Sequence, residues 1–236
     1  MTPESLFDDR LANDPTRPLI TFYDDASGER AELSAKSLAN WVAKTHFMLI
    51  DELGLGPGDR AYLSLPVHWL AAPILFGSWF AGLEIVSDPS NAAVAFGDAA
   101  SLEKADLSNV ADVFAVSLLS MARSAEPPRG MSDYAASVRP HPDAWPTVRA
   151  RGTEADAGLD GLSRAELAKS ARASAADLGL LPGGRLLWSA ADFTATAWLQ
   201  ALLAPLAVSG SVVLVSNADP AKLASRASAE HVTVIR

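Results

Sequence analysis

The sequence contains no cysteine, and this absence limits its chemistry. Disulfide bridges, thiolate metal sites and cysteine nucleophiles are excluded, and a lack of cysteine is typical of cytoplasmic proteins. The amino-terminal stretch MTPESLFDDR is acidic and has no apolar segment, so it predicts no signal peptide. We therefore expect a cytoplasmic location.

An excess of positive charge and a long apolar run are also lacking. The formal net charge is -9, whereas nucleic-acid surfaces need clustered lysine and arginine. The most hydrophobic segment, residues 70–86, is shorter than the roughly 20 residues of a spanning helix, and it contains Pro73 and Glu84. It predicts a buried helix followed by a buried strand. We expect neither nucleic acid nor membrane as a partner.

Helices and strands are predicted to alternate along the chain. Ser34 is placed to cap a long helix, and Gly54 ends that helix because glycine tolerates a positive φ. In the first part of the chain we predict a helix at 4–12, strands at 18–24 and 30–34, a helix from 35 to 53, a strand at 60–65, a helix at 69–81 and a strand at 84–86.

The same order recurs from residue 162. Ser163 and Glu166 form an S-x-x-E capping box, and LGLGPGDR at 53–60 matches LGLLPGGR at 178–185. In both copies an apolar helix follows, and a strand ends in Val-Ser with Asp-Pro close behind. A spacing of roughly 125 residues is too long for a solenoid and is typical of a pseudo-twofold pair of lobes.

These patterns predict an α/β fold with two pseudo-symmetric lobes, mostly parallel sheets and flanking helices. We place the first lobe with its hairpin at 1–122 and the second lobe at 162–236, and one compact domain overall is the alternative. Residues 123–161 are rich in Pro, Gly, Asp and Glu. They predict a long connecting loop.

Several short motifs favour structure over chemistry. Gly54, Gly56 and Gly58 follow a helix and precede a strand, which is the reverse of a dinucleotide-binding loop. The S-x-x-K match at 101–104 lacks the other motifs of a serine acylase. The four histidines have no partner at helical spacing, so we expect no metal site.

The loop RARGTEADAGLDG at 149–161 immediately precedes the second capped helix. A phosphate-binding loop surrounds an anion with backbone N–H groups, a hydroxyl and usually a lysine. This loop supplies glycines and Thr153, but it has no lysine and it carries Glu154, Asp156 and Asp160. The acidic groups repel a polyphosphate, so an exposed connector is the simpler interpretation.

The order of motifs resembles the amino-terminal part of the AMP-binding, adenylate-forming superfamily, which includes acyl-CoA synthetases. The resemblance rests on three stretches of this sequence, namely Leu33–Leu38, Gly58–Arg60 and Ala81–Pro89. It extends over nearly the whole chain, which also resembles a short actinobacterial group of AMP-binding-like proteins. The family's adenine-binding motif, ribose-binding aspartate and catalytic lysine have no counterpart here.

The resemblance implies that Gly152, Thr153 and Gly158 are remnants of the family's phosphate loop. Because the family's lysine is missing, we expect no catalytic residue, no resident cofactor and no acyl-adenylate formation by this chain alone, although ATP, AMP and CoA remain ligands to test. The expected role is a degenerate ligand-binding or protein-interaction module that pairs as a homodimer or with another protein. The alternative is a residual acyl- or nucleotide-handling ligase or hydrolase that needs a partner chain.

Overall fold

Helices and strands alternate in the computed structural model, which describes residues 1–144, 152–190 and 194–236. The strands are β1 (Pro18–Asp24), β2 (Arg30–Ser34), β3 (Arg60–Ser64), β4 (Glu84–Val86), β5 (Val94–Gly97), β6 (Asp112–Ala115), β7 (Ser132–Asp133), β8 (Ala157–Leu159), β9 (Leu162–Ser163), β10 (Arg185–Trp188), β11 (Ser211–Ser216) and β12 (Val234–Ile235). The helices are α1 (Pro3–Asn13), α2 (Ala35–Phe47), α3 (Ala71–Ala81), α4 (Ala99–Leu102), α5 (Tyr134–Val138), α6 (Arg164–Asp177), α7 (Ala195–Trp198), α8 (Ala204–Ala207) and α9 (Pro220–Ala229). A π-helical segment extends α2 over Met48–Glu52, and another joins α7 to α8 over Leu199–Leu203.

The strands of the described residues form two sheets. One has five strands in the order β12-β10-β11-β1-β2, and the other has seven in the order β7-β6-β5-β3-β4-β8-β9. The β1–β2 and β8–β9 pairs at the sheet edges are antiparallel, while the other pairs are parallel. The predicted α/β fold with mostly parallel sheets is confirmed.

Both sheets contain the same three-strand order. Strands β5-β3-β4 in one sheet correspond to β12-β10-β11 in the other. The register corresponds too, because Arg60 lies opposite Glu84 and Arg185 lies opposite Ser211. This shared order is what an internal repeat requires, although duplication of the sequence itself stays a prediction.

Two compact units divide the chain. The first contains Met1–Ser37, Pro66–Trp69 and Ala165–Arg236, and the second contains Leu38–Leu65 and Leu70–Arg164. This division differs from the linear one at 1–122, 123–161 and 162–236. The physical reason is that β1 pairs in parallel with β11, so the amino-terminal residues complete the sheet of the carboxyl-terminal ones.

Local signals at the ends of helices act as the sequence predicts. The Oγ of Ser34 accepts a hydrogen bond from the Ser37 amide at 3.1 Å, which caps α2. Gly54 follows the π-helical segment with a φ of 67°. Gly82 ends α3 with a φ of 94°, and a Cβ there would lie 2.9 Å from the Pro57 ring, so glycine is needed for both conformation and space.

The predicted connector at 123–161 is more structured than its composition indicates. It contains β7, α5 and β8, and residues 145–151 lie outside the described part of the chain. The Asp133 carboxylate accepts from the Ala136 amide at 2.6 Å and thereby caps α5. Helix α6 begins at Arg164, directly after Ser163, which is where the predicted capping box places its start. Leu162 and Ser163 also form the short strand β9, which the sequence did not predict.

The apolar segment at 70–86 is a buried helix followed by a strand, as predicted. All residues of α3 are buried, and β4 follows after Gly82. The helix has 11 residues, which corresponds to about 16 Å and is half the thickness of a bilayer core. Among the described residues, no helix combines the length and hydrophobicity needed to cross a membrane.

Candidate functional site

Gly158, one of the three predicted phosphate-loop residues, lies inside a sheet. It is a buried residue of β8, which runs parallel to β4 with Leu159 opposite Ile85. Its carbonyl accepts a hydrogen bond of 2.8 Å from the indole Nε1 of Trp79. The backbone of Gly158 therefore joins β8 to α3.

Gly152 packs against the fully buried side chain of Arg164. The Arg164 guanidinium donates to the carbonyls of Trp79, at 2.8 Å, and Leu83, at 3.2 Å, near the carboxyl end of α3. A Cβ on Gly152 would lie 2.6 Å from the guanidinium carbon. Burial lowers the pKa of Arg164 to about 10, so the side chain stays positively charged at neutral pH.

Thr153 is exposed, and its backbone amide is already bonded within the loop. The amide donates to Oδ2 of Asp156 at 2.5 Å, and the Asp156 amide donates back to the Thr153 carbonyl at 3.2 Å. In a phosphate-binding loop such an amide would point at the ligand. Here the amide donates to the carboxylate of Asp156, so its hydrogen bond goes to an anionic group of the loop itself and not to a ligand.

The next amides of the loop also have partners within the chain. Asp160 N–H donates to the Ile85 carbonyl, and Gly161 N–H donates to Oε1 of Glu84 at 2.7 Å. The Asp160 carboxylate accepts from both the amide and the hydroxyl of Ser87, each at 2.7 Å. The acidic residues of this loop thus hold the β8–β9 hairpin against β4.

A second candidate site lies where the parallel strands β10 and β11 end. Ligands of open parallel sheets bind outside the carboxyl ends of the strands. We call this cavity of about 260 Å³ the carboxyl-end crevice. Its lining consists of Pro66, Val67, Ser189, Ala190, Val215, Ser216, Asn217 and Ala218.

The carboxyl-end crevice has neutral polar groups beside apolar ones, and its described lining contains no charged side chain. The hydroxyl of Ser189 donates to the Arg236 carbonyl at 2.9 Å, and the amide of Asn217 donates to Oδ1 of Asp24 at 2.8 Å. Burial raises the pKa of Asp24, but hydrogen bonds from Ser27 and Asn217 outweigh it and hold the pKa below its ordinary value. A carboxylate charge therefore lies next to the crevice.

His68 lies one residue beyond the lining and is buried against Phe22, with 4.5 Å between the ring centroids. Burial lowers the pKa of His68 to about 4, against the opposing charge of Asp24. The imidazole is therefore neutral at pH 7 and supplies no positive charge to an anion. No group of three metal-ligating side chains occurs in the described residues.

Sequence reasoning missed Arg164 and the polar residues of the crevice. Arg164 has no local pattern that marks it as buried, because its partners are carbonyls far away in the chain. Ser189, Ser216 and Asn217 could have been found, since each lies at the carboxyl end of a strand of the parallel sheet or directly after it.

Comparison with solved structures identifies the fold. The acyl-CoA synthetase of Brucella canis matches with a TM-score of 0.79 and 18% identity, covering all of this chain and 47% of that one. The coronafacic acid ligase of Pectobacterium brasiliense matches with a TM-score of 0.78 and 11% identity, covering 49% of its length. An anthranilate CoA ligase solved in complex with anthranoyl-AMP matches with a TM-score of 0.73 and 15% identity. The chain spans about half the length of each of these structures.

Comparison with protein sequences gives a nearer relative. No family model matches the chain. A TIGR03089 family protein of Mycobacterium tuberculosis (strain ATCC 25618 / H37Rv) is 40% identical over 235 residues, which cover 97% of this chain and 95% of that protein. The chain therefore belongs to the TIGR03089 family, and its fold is that of the amino-terminal domain of adenylate-forming enzymes.

Proposed function

We propose that this protein binds a ligand or a partner through an adenylate-forming fold and does not form acyl-adenylates on its own. The observation that carries this proposal is the hydrogen bond from the Thr153 amide to the Asp156 carboxylate. A loop whose amide is bonded to an internal carboxylate has no free donor there for a phosphate.

The charges around the two candidate sites support the same proposal. Adenylation needs ATP held by its phosphates, with cations that stabilise the charge developing in the transition state. The loop at 149–161 contains no lysine, and its three acidic residues outnumber its two arginines. The described lining of the carboxyl-end crevice contains no cation. Asp24 adds negative charge beside that crevice, which opposes a polyphosphate.

The solved relatives suggest which ligands to test. The anthranilate CoA ligase of the same fold was solved with anthranoyl-AMP. The carboxyl-end crevice, at about 260 Å³, is smaller than the roughly 300–1,000 Å³ of typical ligand pockets. ATP, AMP, CoA and acyl-CoA are therefore the first ligands to compare, and a molecule smaller than a nucleotide is the better match in size.

Carboxylate-dependent exchange of pyrophosphate into ATP tests the proposal directly. The purified chain should give no exchange above background with a panel of aliphatic and aromatic acids and Mg²⁺. Asp156→Ala removes the acceptor of the Thr153 amide but adds no cation, so it should stay inactive as well. Asp106→Ala is the matched control, because Asp106 also accepts from a backbone amide in an exposed turn. Exchange by the wild-type chain would overturn the proposal.

A thermal-shift series separates the forms that the function can take. A shift with AMP and no turnover favours a nucleotide sensor. No shift with ATP, AMP, CoA or acyl-CoA favours a protein-interaction module. Turnover that appears only after a second protein is added favours the alternative, a ligase or hydrolase completed by a partner chain.

The proposed partner is a second copy of the chain. The segment after β6 exposes three apolar side chains, with Leu118 37%, Leu119 43% and Met121 78% exposed. A cluster of apolar side chains in one exposed segment is typical of an interaction surface, and closed homodimers are the commonest soluble assemblies.

A further inference from the structure

A second cavity lies at the opposite end of the five-stranded sheet, where β10 and β11 begin. We call it the amino-end cleft, and it has a volume of about 310 Å³. Its lining includes the first residues of the two strands, Arg185 and Ser211, together with Arg10, Arg17, Glu32 and Glu230. Three guanidinium groups therefore line one cleft of a chain whose net charge is -9.

Arg185 is held firmly in the wall of the amino-end cleft. Its Nη2 donates to Oγ1 of Thr21 at 2.8 Å and to Oε2 of Glu230 at 2.7 Å, and its Nη1 donates to Oγ of Ser211 at 3.1 Å. A guanidinium has five N–H donors. The Nε of Arg185 is buried and has no hydrogen-bond partner among the described residues, so part of its donor capacity is unused.

Arg10 and Arg17 continue the positive surface of the cleft. Arg10 is only 7% exposed, and its Nη1 donates to Oδ2 of Asp14 at 2.7 Å. Its Nε, like that of Arg185, is buried without a hydrogen-bond partner in the part of the chain that the structure describes. Arg17 forms a long ion pair with Asp14 at 3.7 Å, and its side chain is 80% exposed. Such an exposed pair contributes little energy, so the guanidinium can turn toward a ligand.

The other sheet also has an arginine at the corresponding position. Arg60 occupies the register position that corresponds to Arg185, and its cross-strand neighbour is Glu84. The Arg60 Nε donates to Oε2 of Glu84 at 2.9 Å, which makes a simple ion pair. In the five-stranded sheet the corresponding neighbour is Ser211, a neutral residue, and the cleft opens beside it.

The balance of charge limits what the cleft can hold. Glu32 and Glu230 lie in the same lining as the three arginines, and Asp14 pairs with two of those arginines. Arg30 adds a fourth guanidinium, because it lies 2.6 Å from Glu32 and 3.1 Å from Glu230. Four positive charges against three negative ones leave about one positive charge, which the carboxyl end of α9 reduces slightly. The cleft therefore matches one negative charge and not several. Guanidinium groups recognise carboxylate and phosphate oxygens best, because two N–H groups meet two oxygens.

We propose that the amino-end cleft is a binding site for a small, singly charged oxyanion, such as a carboxylate or dihydrogen phosphate. Arg17 closes over the anion from the rim, and Arg10 and Arg185 lie behind it. The site is independent of the proposed function, because it uses different residues at the other end of the sheet from the carboxyl-end crevice.

Calorimetric titration at low ionic strength tests this site with glycolate, inorganic phosphate at pH 6 and pyrophosphate as probes. Glycolate, phosphate or both should bind saturably, and pyrophosphate should bind more weakly. Arg17→Gln should weaken binding by about tenfold. Arg17 is exposed, so this variant is expected to fold. Arg129→Gln, at an exposed arginine outside the cleft, should leave the affinity unchanged.

Three outcomes would overturn the proposal. The first is the absence of saturable binding of glycolate and phosphate up to about 10 mM. The second is tighter binding of pyrophosphate, which indicates a general attraction to positive charge. The third is an equal loss of affinity in Arg17→Gln and Arg129→Gln. None of these results alters the exchange assay with ATP, so the two proposals fail separately.

Discussion

Gly152 has no room for a side chain, because the guanidinium of the buried Arg164 lies directly against it. Gly152→Ala should therefore lower the free energy of unfolding by about 1–3 kcal/mol through overpacking. Gly56→Ala is the matched control. A Cβ on Gly56 meets no atom within 4 Å, so its effect should stay within about 0.5 kcal/mol. Urea unfolding followed by tryptophan fluorescence measures both, and equal stability of the two variants would contradict this account.

His68 makes stability depend on pH in the mildly acidic range. Burial lowers its pKa from 6.5 to about 4, against the charge of Asp24, so the unfolded chain takes up a proton at a higher pH than the folded one. Stability should therefore fall as the pH drops from about 6.5 to about 4, by up to about 3 kcal/mol. His68→Gln should flatten this slope, while His231→Asn, at an exposed histidine, should retain it. A slope that persists in His68→Gln would exclude His68 as its source.

Single residues were predictable where their partners are close in sequence. Ser34 caps the helix that follows it, and Gly54 ends that helix, because both effects depend on neighbouring backbone. The burial of Arg164 was not predictable, since its partners Trp79 and Leu83 are joined to it only by the fold.

At the scale of elements, helix α9 is held to the end of β1 by Asp25. The Arg226 guanidinium donates to both carboxylate oxygens of Asp25, at 2.6 and 3.1 Å, and the Asp219 amide donates to it at 2.8 Å. The Arg226 hydrogen bonds are the main reason that the pKa of Asp25 is lowered to about 2. The Asp25 side chain is 5% exposed, so solvent screens these contacts little.

The hydrogen bonds on the Asp25 carboxylate should produce a second pH range in which stability changes. The folded pKa of Asp25 lies below its ordinary value of 3.8, so the stabilisation is present above about pH 4. It should be lost as the pH falls from about 4 to about 2, at a cost of about 2 kcal/mol. Asp25→Asn should remove this loss, and Asp9→Asn on the exposed face of α1 should not. Urea midpoints measured between pH 2 and 7 test this prediction. An unchanged loss of stability in Asp25→Asn would exclude Asp25 as its source.

Most of the longer elements were predictable from hydrophobic periodicity, and the short ones were not. Strands β1, β2 and β3 occur where the sequence predicts them, to within one residue at their ends. Strands β7 and β8 have two and three residues, which is too short for a period to be visible. They form because a sheet edge is available to pair with them, and that edge exists only in the folded chain.

At the scale of the whole molecule, the proposed homodimer can be measured by light scattering. One chain has a mass of 24.8 kDa, and we expect twice that value for the wild type. Met121→Glu should return the monomer mass, because a charge at the exposed segment after β6 opposes burial. Leu181→Glu, at another side chain that is 73% exposed, should leave the mass unchanged. A monomer mass for the wild-type chain would exclude the dimer.

The fold class could be predicted from the sequence, whereas the division into units could not. Alternating helices and strands indicate parallel sheets whatever their order. The sheet order depends on the pairing of β1 with β11. The sequence of neither strand identifies the other as its pairing partner. The candidate site was predictable only as a location, because the amide of Thr153 and the carboxylate of Asp156 meet through the loop's conformation.

The pairing of β1 with β11 also determines the order in which the chain can fold as it is synthesised. The unit formed by Leu38–Leu65 and Leu70–Arg164 is complete once residue 164 has left the ribosome. The unit that contains β1 must wait for β11 and α9 near the other end of the chain. Until then the apolar faces of β1 have no sheet to cover them, so nascent chains that stall before residue 211 should be the ones that recruit chaperones.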